Sequence, residues 1–172
     1  YDLMYHTSEL HHDLWKKKKI KEGKYPIIHL MKKKGKTVYM SDQPHTHQNT
    51  PKIIINGFGV KYVLFDNKGE YGVTDTPFIL LTNNINIYTL LSCNFWNFIV
   101  NSLGILGNNL NERIFKYIPN IETFLKRNNL NHEEKKSSKQ LLNFLDITNQ
   151  QCKFVEDFNN KNVQNLKLKD RI

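Results

Sequence analysis

The sequence predicts an α+β fold: a small mixed, mainly antiparallel sheet packed on one long helix, followed by short C-terminal helices. Three observations carry this expectation. The densest β-type sequence lies between Pro51 and Leu81. From Asn83 onward the apolar residues recur at three- and four-residue spacing instead. The order is therefore strands first and helices after, the signature of segregated α+β architecture.

Taken in order, residues 1–24 read as a helical lead-in from an upstream domain, with Leu3, Leu10, Leu14 and Trp15 approximating one face and Gly23 ending it. Tyr25-Pro26 opens an extended segment. Ile27 to Leu30 reads as a strand, Lys32 to Lys36 as a basic turn containing Gly35, and Thr37 to Met40 as the hairpin partner. Residues 41–50, SDQPHTHQNT, form a polar loop whose side chains are of the kinds that read base edges or bind metal; an ordinary solvated loop is the alternative. Ile53, Ile54 and Ile55 form a short strand closed by Asn56-Gly57, and Val60 to Phe65 a second one. Asp66-Asn67-Lys68-Gly69 is turn chemistry, because Gly tolerates positive φ and Asx side chains bond their own backbone. Tyr71 to Val73 and Phe78 to Leu81 add two short strands, and the pattern describes a half-buried antiparallel sheet.

Asn83 to Ser102 is the strongest helical stretch, with Ile87, Leu90, Leu91, Phe95, Phe98 and Ile99 on one face and Gly104 as its stop. Residues 104–111 read as a Gly/Asn loop, Asn111 to Tyr117 as a short helix ended by Pro119, and residues 128–139 as an exposed connection. Ser138 to Leu145 and Thr148 to Phe158 read as short helices, the second with a capping box of Thr148 and Gln151, and the last dozen residues as a tail. Three regions follow: 1–24 as the lead-in, 25–125 as the main domain, and 126–172 as a small helical region and tail. The first residue is Tyr, so the chain is expected to be a segment of a longer polypeptide.

The net charge of +9 is uneven: +5 over residues 1–50, zero over 51–100 and +4 over 101–172. A neutral sheet flanked by basic segments suits a polyanionic partner. Genome composition competes as an explanation. There is no Ala, and there are 22 Asn and only three Arg. Such a bias toward A/T-rich codons suits a low-GC bacterium or a large DNA virus. Cys93 and Cys152 have no paired spacing and read as buried free thiols in a reducing compartment. No apolar run approaches the ~18 residues of a membrane span, and no signal peptide is expected. The expected location is the bacterial cytoplasm, or the host cytoplasm or virion for a viral source.

Glycine-rich nucleotide loops, HExxH and GxSxG are missing. Asn56-Gly57-Phe58-Gly59 lacks the third glycine and the strand–loop–helix context of a phosphate loop. His11-His12 and His45-x-His47 find no third ligand at a telling spacing, so no metal is expected. Asp13 with Glu22-Gly23-Lys24 only loosely fits a metal-dependent nuclease. The residues favour binding over catalysis, with Lys and Arg on phosphates and Asn, Gln, His and Arg reaching bases.

Several stretches in sequence order resemble a known family. They are Tyr25-Pro26, the basic hairpin, the His/Gln loop, PKIII at 51–55, FDNKGEYGVTDTPFIL at 65–80, LLSCNFWNFIVNSLG at 90–104, RIFKYIP at 113–119 and FLDITNQQCKFVEDF at 144–158. Together they resemble the target-recognition domains of adenine-specific DNA methyltransferases of restriction–modification systems. Ser92-Cys93-Asn94 departs from the family's Asn-Ser pair, and the C-terminal end is less acidic than usual. The family's catalytic and cofactor-binding motifs appear nowhere in the chain.

The resemblance implies sequence-specific recognition of double-stranded DNA, with no catalytic residue in this segment. Methyl transfer and S-adenosylmethionine would belong to an upstream methyltransferase domain, which takes the target adenine out of the stack. His45, His47, Gln48 and Asn49 are the expected base contacts. Lys52, Lys61, Arg113 and Lys116 are the expected phosphate contacts. Tyr71 and Thr74 lie in the most family-like stretch, with sheet packing as their other reading. An RNA-binding or protein-interaction module is the alternative, and a nuclease a more distant one.

Overall fold

The computed structural model describes residues 23–32, 34–57, 62–96, 98, 120–131 and 133–169. Six strands form two three-stranded sheets: β1 (Tyr25–Lys32), β2 (Gly35–Ser41), β3 (Lys52–Asn56), β4 (Val63–Asp66), β5 (Gly72–Val73) and β6 (Pro77–Leu80). One sheet has the order β2-β1-β5 and the other β4-β3-β6. Every pairing is antiparallel except that of β1 with β5. The α+β class is as expected, although the strands divide between two sheets rather than one.

The three isoleucines of β3 explain the layering. Side chains alternate across a strand, so Ile53 and Ile55 point one way and Ile54 the other. Ile53 and Ile55 pack with Phe78 and Leu80 of β6 against the helices, whereas Ile54 packs with Ile79, Ile28, Met31 and Val73 beneath the second sheet. All three are fully enclosed. The expected half-buried sheet is therefore corrected: β3 is covered on both faces, as an unbroken apolar run requires. The sheets are joined by the buried Asn56, whose Oδ1 accepts from Met31 N at 2.9 Å and whose Nδ2 donates to Met31 O at 2.8 Å. Its amide thus acts as one more peptide unit beside β1.

Helix α1 (Ile85–Leu91) is N-capped by Asn84, whose side chain accepts from Asn86 N at 2.9 Å. The expected single helix from Asn83 to Ser102 is not formed. Ser92 Oγ donates to Tyr88 O at 2.8 Å and to Thr89 O at 3.2 Å, and Cys93 N tightens onto Leu90 O. A serine that bonds the preceding turn competes with the helical ladder. Helical backbone resumes at residue 94.

Helix α2 (Ile121–Arg127) starts on Asn120, a helix the sequence pattern had not suggested. Helices α3 (Ser138–Phe144) and α4 (Asn149–Lys169) each carry a capping box, Ser137 with Gln140 and Thr148 with Gln151. Helix α4 continues where a tail was expected. Ile87, Leu90 and Leu91 of α1, Ile121 and Leu125 of α2, and Leu141 and Leu142 of α3 share the core with Ile53. The connection before α3 is exposed at Glu133, Glu134 and Lys135 but not at Lys136. There the buried Asn86 accepts from Lys136 N at 2.8 Å and donates to Glu134 O at 2.9 Å.

Cys93 and Cys152 are free and half-buried rather than fully buried, and burial pushes the Cys93 thiol up from its ordinary value. Among the described residues no helix is long and apolar enough to cross a membrane. The lead-in helix before residue 23 and the short helix at 111–117 lie outside the described residues.

Candidate nucleic-acid interface

The polar loop leaving β2 is shaped by its own residues. Ser41 Oγ donates to Gln43 O at 2.8 Å and accepts from Gln43 N at 3.1 Å. His45 Nδ1 accepts from His47 N at 3.1 Å, and Gln48 N closes a turn onto His45 O at 2.8 Å. Asn49 adopts φ +63°, a left-handed conformation that Asn tolerates better than most residues. Its N–H then donates to Gly69 O at 2.8 Å in the turn after β4. Gly69 is required here: its φ is +70°, and a Cβ would lie 2.4 Å from Thr50 N.

Loop and turn close around one charge. Lys52 and Asp66 are partners in the β3–β4 register, and their side chains, 0% and 2% exposed, meet at 2.8 Å. Lys52 Nζ also donates to His47 O and Thr50 O, both at 3.0 Å, which uses all three ammonium hydrogens. Asp66 accepts in turn from Glu70 N at 2.8 Å and Tyr71 N at 3.0 Å. Gln48 Nε2 completes the seam by donating to Glu70 O at 2.6 Å. A buried ion pair survives only when its remaining donors and acceptors are also satisfied. Here they are satisfied by the backbone of the two loops, so the pair fixes the shape of both.

The chain matches no protein-family model, no curated protein and no solved structure.

Several expected contact residues sit elsewhere than the sequence suggested. Lys52 was expected on phosphate, but its ammonium is enclosed and bonded to three oxygens, so in this arrangement it has no access to one. His45 is buried at 4% exposure, packed over Gly72 and Ile27 rather than presented to a base. His47 and Gln48 are half-buried, the His45 and His47 rings 5.9 Å apart, and Gln48 is held by Glu70. Asn49 is exposed and carried on a pinned backbone. Tyr71 is half-buried beneath Lys36, whose Nζ lies 3.6 Å from the ring centroid. Thr74 is buried, with its Oγ1 3.0 Å from His29 Nδ1. Lys61, Arg113 and Lys116 lie outside the described residues.

The structure adds residues the sequence reading did not single out. Thr46 is exposed in the loop, and Asn67 and Lys68 are exposed on the turn bonded to it. Lys24, Lys32, Lys34 and Lys36 are exposed along the β1–β2 hairpin. The available signal was that residues 24–41 contain five Lys and no acid. The hairpin is roughly 23 Å long, about the span of seven phosphates along one strand of B-DNA.

By contrast, a cavity of about 290 Å³ beside α1 is lined by Asn83, Asn84, Ile85, Glu122 and Glu133, an acidic setting that would repel phosphate. Among the described residues no group of three or more His, Cys, Asp or Glu is placed to hold a metal ion.

Proposed function

We propose that this chain is a sequence-specific duplex DNA-recognition module, acting as the target-recognition part of an adenine-specific DNA methyltransferase. The observation that carries this reading is a polar loop of fixed shape beside an acid-free lysine hairpin. The lysines supply sequence-independent attraction to phosphates, which positions a protein on DNA. The pinned loop presents Thr46 and Asn49 with little ordering left to lose on binding, which favours discrimination. The resemblance of residues 25–158 to target-recognition domains points the same way. S-adenosylmethionine and methyl transfer belong in this reading to a partner domain in the same cytoplasmic protein, and the described residues contribute recognition alone.

The test is duplex binding by fluorescence anisotropy across a salt series. Affinity falls steeply with salt as counterions are released. Lys34→Gln weakens all duplexes alike and lowers the salt slope by about one, whereas Asn49→Gly keeps the backbone conformation and changes which sequence is preferred. Salt-independent binding, or variants that behave identically, would refute the reading.

A further inference from the structure

The outer face of the β2-β1-β5 sheet, turned away from the core, carries a second constellation. Ile28 packs inward, so Tyr25 and Ile27 point outward, and the register sets Tyr39 of β2 directly beside Ile27. His29, next after the inward Ile28, shares this face with its ring 5.4 Å from the Tyr39 ring, and the pairing slips between Ile28 and Leu30. The polar loop covers the Ile27 and Gly72 end of this face. Tyr25, His29 and Tyr39 remain partly exposed.

These rings are held and surrounded by cations. His29 Nδ1 lies 3.0 Å from Thr74 Oγ1 and 3.5 Å from Thr76 Oγ1, which fixes the imidazole plane. Thr76 is itself bonded to Asp75 at 3.3 Å. Lys24 Nζ stands 5.5 Å over the Tyr25 ring at one end of the hairpin, and Lys32 and Lys34 are exposed at the other. A duplex keeps its bases stacked on one another and offers no base face to such rings. An unpaired strand does, and aromatic platforms between cations are how proteins hold one.

We infer that this face binds single-stranded DNA, with unstacked bases on Tyr39 and Tyr25 and phosphates on Lys24, Lys32 and Lys34. The inference shares the basic hairpin with the duplex reading, but Tyr39 lies on the β2 side of Ile27 whereas the loop lies on the Gly72 side, so a Tyr39 variant lets the two fail separately.

The experiment titrates the chain with a short fluorescein-labelled oligo(dT), with oligo(U) and with a duplex at low salt. Tyr39→Leu weakens oligo(dT) binding about tenfold and leaves duplex affinity unchanged, while Tyr39→Phe, which keeps the ring, stays within about twofold of wild type. Thermal unfolding of each variant separates lost stacking from lost fold. Should Tyr39→Leu unfold, Tyr39→Trp takes its place and binds oligo(dT) at least as tightly as wild type. Unchanged oligo(dT) affinity in Tyr39→Leu, equal loss in the Leu and Phe variants, or weaker binding by Tyr39→Trp would overturn the inference. So would absence of oligo(dT) binding by the wild-type chain. Tighter binding of oligo(U) than oligo(dT) would overturn the assignment to DNA. Duplex binding lost in every form while oligo(dT) binding persists would sink the duplex reading and leave this one standing.

Discussion

Replacing Asp66 with Asn preserves the size of the side chain and removes its charge from a site where Lys52 has no solvent to turn to. Asn retains one acceptor oxygen, so the backbone N–H groups of Glu70 and Tyr71 compete for it with the Lys52 ammonium. Removing one member of a buried ion pair costs about 3–5 kcal/mol. For a domain of this length that lowers Tm by roughly 6–20 °C. The loop is affected more than the global fold, because His47 O and Thr50 O are held through the same ammonium. Circular dichroism gives Tm, and hydrogen exchange at the amides of Gln48 and Asn49 reports the loop. The double variant Lys52→Met/Asp66→Leu recovers most of the Tm, since apolar replacement of a buried pair is often tolerated. It leaves the two loop amides exchanging fast. A Tm drop below about 2 °C in Asp66→Asn, with both amides still protected, would refute the role given to the pair.

Two further outcomes follow from the geometry. Asn56→Leu leaves the Met31 N–H and C=O without the amide that joins the sheets, at a cost of about 2–4 kcal/mol. Urea unfolding measures this, and Asn56→Asp, which still accepts from Met31 N, recovers part of it. Gly72→Ala places a Cβ 2.5 Å from both His45 Cβ and Ile27 Cδ1. Relief comes from lifting the loop, so duplex affinity falls while stability drops by only about 1–3 kcal/mol. A stable variant with wild-type duplex binding would show that the loop does not touch DNA.

Much of the strand half was legible because its signals are local. The hairpin of β1 and β2 followed from apolar runs broken at Gly35, and the turn at 66–69 from Asp, Asn and Gly, its Gly69 N indeed bonding Asp66 O. The capping box of Thr148 and Gln151 formed as its spacing suggested. What failed depended on distant partners. Nothing near Ile54 announces that a second sheet lies over it. Lys52 resembled a phosphate ligand because sequence does not state what an ammonium faces. The usable clue was a Lys heading one apolar run and an Asp ending the next, which an antiparallel pairing sets side by side. His45 was misplaced for a similar reason, since the space it fills exists only because residue 72 is Gly. Apolar spacing continued past Leu91 and suggested one long helix, while the Ser92 hydroxyl redirected the backbone.

The parallel pairing of β1 with β5 also bears on how the chain reaches this state. His29 and Thr74, neighbours across that ladder, are 45 residues apart, whereas β2 follows β1 directly. β2 ends at Ser41 and β5 at Val73, so at ordinary rates of synthesis the finished hairpin waits roughly 2–6 seconds for the strand that completes its sheet. Through that interval the inward residues Ile28 and Met31 lack their cover. An uncovered strand edge is an invitation to pair with another nascent chain, and lysines along it are a common defence. Lys32 of β1, with Lys34 and Lys36 in the turn and strand beside it, is placed to discourage such pairing while the edge waits.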